Sequence, residues 1–240
     1  MKNRLVMVRH HHNALELDDV ACRVLRARGF EIDHIHPHAG EQLGAPADDV
    51  AGTIVYGGGQ NVTELERFPY LRDEMQWMLD CQSAGVPVLG ICLGAQLLAA
   101  AHGAEVMRPE DGLCEFGYYP VFPADDSGFV PTEGLHVTEA HFEAFELPAG
   151  AVHLARSEAF PNQAFRVGDK AYGLQFHPEV NTEVFRDWQA DYWTPHFYSS
   201  PGSQSEVESL DLHYRHTEAQ GAWFEELLLT LFGTAPATAA

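Results

Sequence analysis

The chain has 240 residues, 45% of them hydrophobic and 20% charged, which is the composition of an ordinary folded domain with a buried core. Its 35 acidic residues against 14 basic ones give a formal net charge of -21, and no Lys/Arg cluster offsets it, which argues against a polyphosphate or nucleic-acid partner. No stretch approaches the ~20 apolar residues that span a bilayer, so no membrane association is expected.

The apolar run Leu5-Val6-Met7-Val8 reads as a short buried strand, and it ends too soon at Arg9 and a histidine triplet to be a signal peptide. Leu15 to Arg28 carries apolar residues at helical spacing and stops at Gly29. Strands follow at Phe30 to Ile35 and at Val50 to Tyr56, the latter closed by Gly57-Gly58-Gly59. Arg67 to Ser83 reads as a helix, Val86 to Ile91 as a buried strand, and Ala95 to His102 as the next helix. This alternation implies a parallel sheet with helices on both faces. From Gly117 onward the predicted strands are shorter: Tyr118 to Phe122, Val152 to Ala155, Ala164 to Val167 and Ala171 to Phe176, some pairing antiparallel at one side. Ala190 to Glu206 reads as a loop, with Tyr192, Trp193, Phe197 and Tyr198 packing beneath it. Glu218 to Phe232 reads as a closing helix, with a frayed tail from about Gly233. The expectation is one α/β domain over residues 1–240, flavodoxin-like, with a mostly parallel sheet and some antiparallel strands in the second half.

Cys22, Cys81, Cys92 and Cys114 form no C-x-x-C pair and no disulfide framework, which fits a reducing, cytoplasmic compartment. One of them stands apart. Gly90-Ile91-Cys92-Leu93-Gly94-Ala95-Gln96 places Cys92 between a buried strand and a helix, the layout of a nucleophile elbow with Cys in place of Ser. A residue at the tip of such a turn needs an unusual backbone angle, and Gly90 and Gly94 clear the space. The positive end of a helix favours a thiolate, and the Leu93 N–H at the helix start is free to hold an oxyanion. The plain alternative, a small buried hydrophobe, fits Cys22, Cys81 and Cys114 better.

A thiol nucleophile needs a base, and the base needs an orienting acceptor. Phe176-His177-Pro178-Glu179 supplies both. Pro178 forces His177 into an extended conformation, so His177 and Glu179 point to the same side. The glycine run Gly57-Gly58-Gly59 after a strand lets backbone N–H groups face a ligand, and no G-K-[ST] follows to make it a phosphate loop. His10-His11-His12 and the alternating His34, His36 and His38 could supply some metal ligands, but no motif spacing supports a site, and neither metal nor cofactor is expected.

Together, and in this order, the three motifs resemble the class I glutamine amidotransferase domain over roughly residues 50 to 180. The resemblance implies that Cys92 attacks the glutamine side-chain amide, His177 shuttles the proton to ammonia and Glu179 orients His177. It also implies that the N–H groups of Gly58 and Leu93 hold the oxyanion and that Gln96, Gly57 and His141 lie at the substrate. The stand-alone, GMP-synthase-like branch is the nearer likeness. Glu115-Phe116-Gly117-Tyr118 is similar to its E-x-G-W segment, and Ala140-His141-Phe142-Glu143-Ala144-Phe145-Glu146-Leu147-Pro148 to its W-H-G-D-x-F-x-L-P segment. Tyr118 replaces Trp, Ala140 the aromatic and Phe142 the small Gly, and Gly59 stands where Pro is frequent. The implied activity is glutamine hydrolysis with ammonia passed to a separate synthetase protein, since no ATP-grasp or synthetase segment is present. Two other readings stand beside it: a γ-glutamyl hydrolase or peptidase acting on another γ-glutamyl amide, and a non-catalytic regulatory member.

Overall fold

The computed structural model describes residues 2–11, 16–124, 128–190 and 197–235. Five strands form its parallel half: β1 (Arg4–Val8), β2 (Glu31–Ile35), β3 (Val50–Val55), β4 (Val88–Ile91) and β11 (Ala171–Leu174), in the order β2-β1-β3-β4-β11. The period-two alternation of a strand sends successive side chains to opposite faces, and both faces are covered. Leu5, Met7, Ile54, Leu89 and Ile91 pack with Ala21, Cys22 and Leu25 of α1 (Val20–Ala27) and with Phe224, Leu227 and Leu228 of α5 (Glu206–Phe232). Val6, Val8, Val55 and Val88 pack with Leu71, Trp77, Met78 and Cys81 of α2 (Tyr70–Ser83) and with Leu93, Leu97 and Leu98 of α3 (Leu93–Ala101).

The sheet continues past β11 with four antiparallel neighbours in the order β10 (Ala164–Val167), β9 (Val152–Arg156), β6 (Glu115–Pro123) and β7 (Leu135–His141). A small two-stranded sheet pairs β5 (Val106–Met107) with β8 (Ala144–Phe145). The antiparallel extension is thus larger than the sequence implied, and β7 in particular was not expected.

Several boundaries differ for local reasons. Helix α1 begins at Val20, because the Asp19 carboxylate caps it by accepting from the Cys22 N–H at 2.8 Å. Helix α2 starts only after Pro69. Helix α5 begins at Glu206 rather than Glu218, with Ser205 accepting from the Glu208 N–H as its cap. Helix α4 (Thr182–Ala190) occupies a stretch without a sequence assignment. Past Gly233 the Ala235 N–H donates to the Arg28 carbonyl at 3.0 Å, and the rest of the expected frayed tail, residues 236–240, lies outside the described residues. In the expected aromatic cluster, Phe197 and Tyr198 pack on Phe116, and Phe197 also meets Phe142; Tyr192 and Trp193 lie outside the described residues.

Candidate active site

The carboxyl end of β4 turns directly into α3 at Cys92, which has φ 51 and ψ -107. It is the one non-glycine residue at positive φ among the described residues, in a region that costs side-chain-bearing residues about 1–3 kcal/mol. Its surroundings force it. The Cys92 N–H donates to the Leu174 carbonyl at 2.8 Å, and the Cys92 carbonyl accepts from the Gln96 N–H at 3.0 Å. The two flanking glycines are contact points as well. A Cβ on Gly90 would lie 2.4 Å from the Gly94 carbonyl oxygen, and one on Gly94 only 1.9 Å from that of Val55.

His177 follows the end of β11 and stands beside Cys92, the two side chains meeting where a Cβ on Gly57 would lie. Its Nδ1 donates to Glu179 Oε1 at 2.8 Å, the tautomer-fixing arrangement expected of a base and its orienter. The segment is pinned from several sides. The His177 N–H donates to the Thr138 carbonyl at 2.8 Å, and the Glu179 carbonyl accepts from the Val20 N–H at 3.2 Å. The Trp188 ring lies perpendicular to the imidazole at 5.0 Å between centroids. Burial works against the imidazolium, but the neighbouring Glu179 and then Cys92 outweigh it and hold the His177 pKa well above the ordinary histidine value.

Gly57 closes the gap between β3 and this pair. A Cβ there would sit 2.6 Å from His177 Cε1 and 3.4 Å from Cys92 Cβ. Among the described residues, the Gly58 and Leu93 N–H groups have no protein acceptor. The turn is held from behind by a residue that pattern reading missed. His10 Nδ1 donates to the Gly57 carbonyl at 3.0 Å, while its Nε2 lies 2.8 Å from Glu74 Oε2.

The other sequence-selected residues are committed to the framework. Gln96 Nε2 donates to the Glu143 carbonyl at 2.9 Å and to Gln175 Oε1 at 3.2 Å. The Glu143 carboxylate in turn accepts from the Val62 N–H and the Thr63 hydroxyl, which ties the segment after β7 to the loop after Gly57. The His141 ring is buried and bonded within the chain. Its Nδ1 donates to the Glu143 carbonyl at 3.0 Å and its Nε2 faces Glu115 at 3.2 Å, with 1% of the side chain exposed.

Glu115, Glu139 and His141 are the group, among the described residues, whose ligand atoms lie close enough for a metal, within 4.8 Å of one another. Glu115 is already engaged by Ser157 and Gln163 at 2.7 and 2.6 Å, as befits a hydrogen-bonded buried network. The Glu139 carboxyl is fully buried, and neither of its oxygens accepts a hydrogen bond. Burial, and then the neighbouring Glu115 charge, push its pKa well above the carboxylate range. Within the histidine groups raised by the sequence, His38 Nδ1 donates to the Arg9 carbonyl, and none joins a three-ligand cluster among the described residues.

Comparison with known proteins decides the family. Residues 15–187 match the family described as Glutamine amidotransferase class-I. The chain belongs to this family. It is 32% identical over 181 residues to the glutamine amidotransferase-like protein YfeJ of Salmonella typhimurium, covering 72% of this chain and 75% of that one. It is 41% identical over 129 residues to a glutamine-hydrolyzing GMP synthase subunit of Thermococcus kodakarensis, covering 53% of this chain and 65% of that one. Its alignment with the GMP synthase of Prochlorococcus marinus, 35% identical over 133 residues, spans only 24% of that protein. A glutamine amidotransferase from Thermotoga maritima superposes with a TM-score of 0.84 at 28% identity, over 98% of this chain and 100% of that one. The α/β fold and the class of glutaminase-type cysteine hydrolases are thereby established for this amidotransferase chain. No helix among the described residues is long and apolar enough to cross a membrane.

Proposed function

We propose that the chain hydrolyses the side-chain amide of glutamine through Cys92, His177 and Glu179, releasing glutamate, and ammonia for a separate acceptor protein. The observation that carries this reading is a cysteine held at φ 51 on a helix tip, beside an imidazole that Glu179 fixes at 2.8 Å. A raised imidazole pKa makes His177 a good acceptor of the thiol proton and then its donor to the leaving nitrogen. The Cys92 sulfur bonds to the amide carbon, and the carbonyl electron pair moves to oxygen. The Gly58 and Leu93 N–H groups hold that oxyanion, each lacking a protein acceptor among the described residues. Collapse expels ammonia with the proton from His177 and leaves a thioester. Water, deprotonated by the same imidazole, then frees glutamate and the thiol.

Gly57 borders the reacting group because no side chain stands there. Gln96 and His141 act by fixing the segment around Glu143 rather than by ring contact with substrate. The relatives named as subunits of a glutamine-hydrolyzing GMP synthase support a separate synthetase as acceptor of the ammonia. The test is glutamate release from glutamine by the purified chain beside Cys92→Ala. Release by the wild type and none by the variant upholds the reading. Release only from another γ-glutamyl amide moves the substrate, and equal release by both refutes Cys92 as nucleophile.

A further inference from the structure

The pair His10–Glu74 is buried, ionisable and unused by the triad. His10 follows the end of β1, and Glu74 lies in the middle of α2, with 0% of either side chain exposed. A carboxyl in a helix core between Leu71 and Trp77 disrupts an otherwise apolar packing face, and its Oε1 has no partner. What it does is hold one imidazole. A carbonyl can only accept, so the His10 Nδ1 facing the Gly57 oxygen carries a proton, and Nε2 shares a proton with Glu74 Oε2 across 2.8 Å.

The chain has no cis peptide among its described residues, and in a trans peptide the C=O and N–H point in opposite directions. Fixing the Gly57 carbonyl on His10 therefore fixes the Gly58 N–H away from His10. A Cβ on Gly58 would strike His10 Cβ at 2.6 Å, so the imidazole packs directly against the turn. We infer that His10, backed by Glu74, is a positioning residue that sets the Gly57–Gly58 peptide in the orientation that stabilises the oxyanion. This rests on the glutaminase reading above.

Two reactions of the same thiol separate this role from a merely structural one. Hydrolysis of glutamine passes through an oxyanion. Alkylation by iodoacetamide does not: the sulfur displaces iodide at carbon. In His10→Leu, kcat and kcat/KM for glutamate release should fall together by about 10²–10³, the loss seen when one oxyanion donor is removed. The alkylation rate of Cys92 should stay near that of the wild type. His10→Asn places an amide N–H near the position of Nδ1 and should recover most of the rate, and Glu74→Gln should give an intermediate loss. The inference is overturned by His10→Leu hydrolysing glutamine at the wild-type rate, by alkylation falling as far as hydrolysis, or by Asn restoring no more than Leu. Should the wild type release glutamate from neither glutamine nor γ-glutamyl-p-nitroanilide, the functional reading falls instead. A crystal structure of His10→Asn and His10→Leu then decides the inference: a Gly57–Gly58 peptide turned only in the Leu variant upholds it, and one unchanged in both overturns it.

Discussion

Replacing Gly57 by alanine tests the geometry of the site with a single methyl group. The Gly57 φ is not positive, so the backbone itself tolerates a side chain there. The added Cβ would lie 2.6 Å from His177 Cε1, whereas carbon atoms rest at about 3.5–4.0 Å. About 1 Å of displacement must therefore be found. Cys92 is a poor source, because its Cβ is already 3.4 Å away and its backbone is locked at the elbow. The imidazole must move, and Glu179 tethers it at 2.8 Å. Misplacing a reacting group by ~1 Å costs on the order of 10²-fold in rate, which is about 2.7 kcal/mol of transition-state stabilisation. Gly59→Ala is the control, since its methyl would meet nothing within 4 Å. Steady-state glutamate release from glutamine, with thermal unfolding of each variant alongside, gives the comparison. If a folded Gly57→Ala retained kcat/KM within about threefold of the wild type, less than 1 kcal/mol, the placement of Gly57 between Cys92 and His177 would be wrong.

Glu139 makes stability depend on pH with a definite sign. Its folded pKa is raised, so the folded chain holds a proton that the unfolded chain has released, and stability falls as pH rises from about 4.5 towards the folded value. Glu139→Gln removes this dependence, and its urea midpoint should therefore decline less than that of the wild type between about pH 5 and pH 8; parallel declines refute the reasoning. Cys92→Ala removes a neighbour that raises the His177 pKa, so imidazole titration by NMR should show it lowered, and an unchanged or higher value contradicts the contact. Gly94→Ala drives a methyl to 1.9 Å from the Val55 carbonyl oxygen, which is backbone and cannot rotate away. A loss above about 4 kcal/mol or failure to fold is expected, and a melting temperature within a few degrees of the wild type would show that α3 can shift freely from β3.

The motifs that mark this site were legible because each is a local necessity. Gly90, Cys92 and Gly94 are spaced by the contact between a strand and the helix that follows it, and His177 and Glu179 by the extended geometry that Pro178 imposes. Elements whose buried faces are polar were harder to read. The first half of α5 buries Ser209 and His213, and its later part buries Gln220, so no continuous apolar stripe announces a helix from Glu206. Strand β7 buries Thr138 and Glu139 as adjacent residues on opposite faces, which erases the alternation that a half-exposed strand displays. Helix α4 buries only Val184 and Phe185 within nine residues, too little for a periodic signal.

The resemblance implied that these motifs meet, and strand order supplies the physical reason. The site draws His10 from beyond β1, Gly57 from beyond β3, Cys92 from beyond β4 and His177 from beyond β11, and these four strands are consecutive neighbours in the parallel half of the sheet. Their carboxyl ends necessarily lie along one edge, where residues far apart in the chain become contacts. The His10–Glu74 bond spans 64 positions and the Glu143–Val62 bond 81. A glutamate within a helix reads as a solvated face unless its partner is known. The strain at Cys92 follows the same logic. A backbone at φ 51 persists only where its surroundings over-determine it, and the Leu174 carbonyl on β11, the Val55 carbonyl on β3 and the start of α3 do so together. The elbow is therefore a property of three adjacent strands. A change on β3 or β11 that shifts the sheet by a few tenths of an ångström should alter the reactivity of Cys92 without touching any residue of the triad.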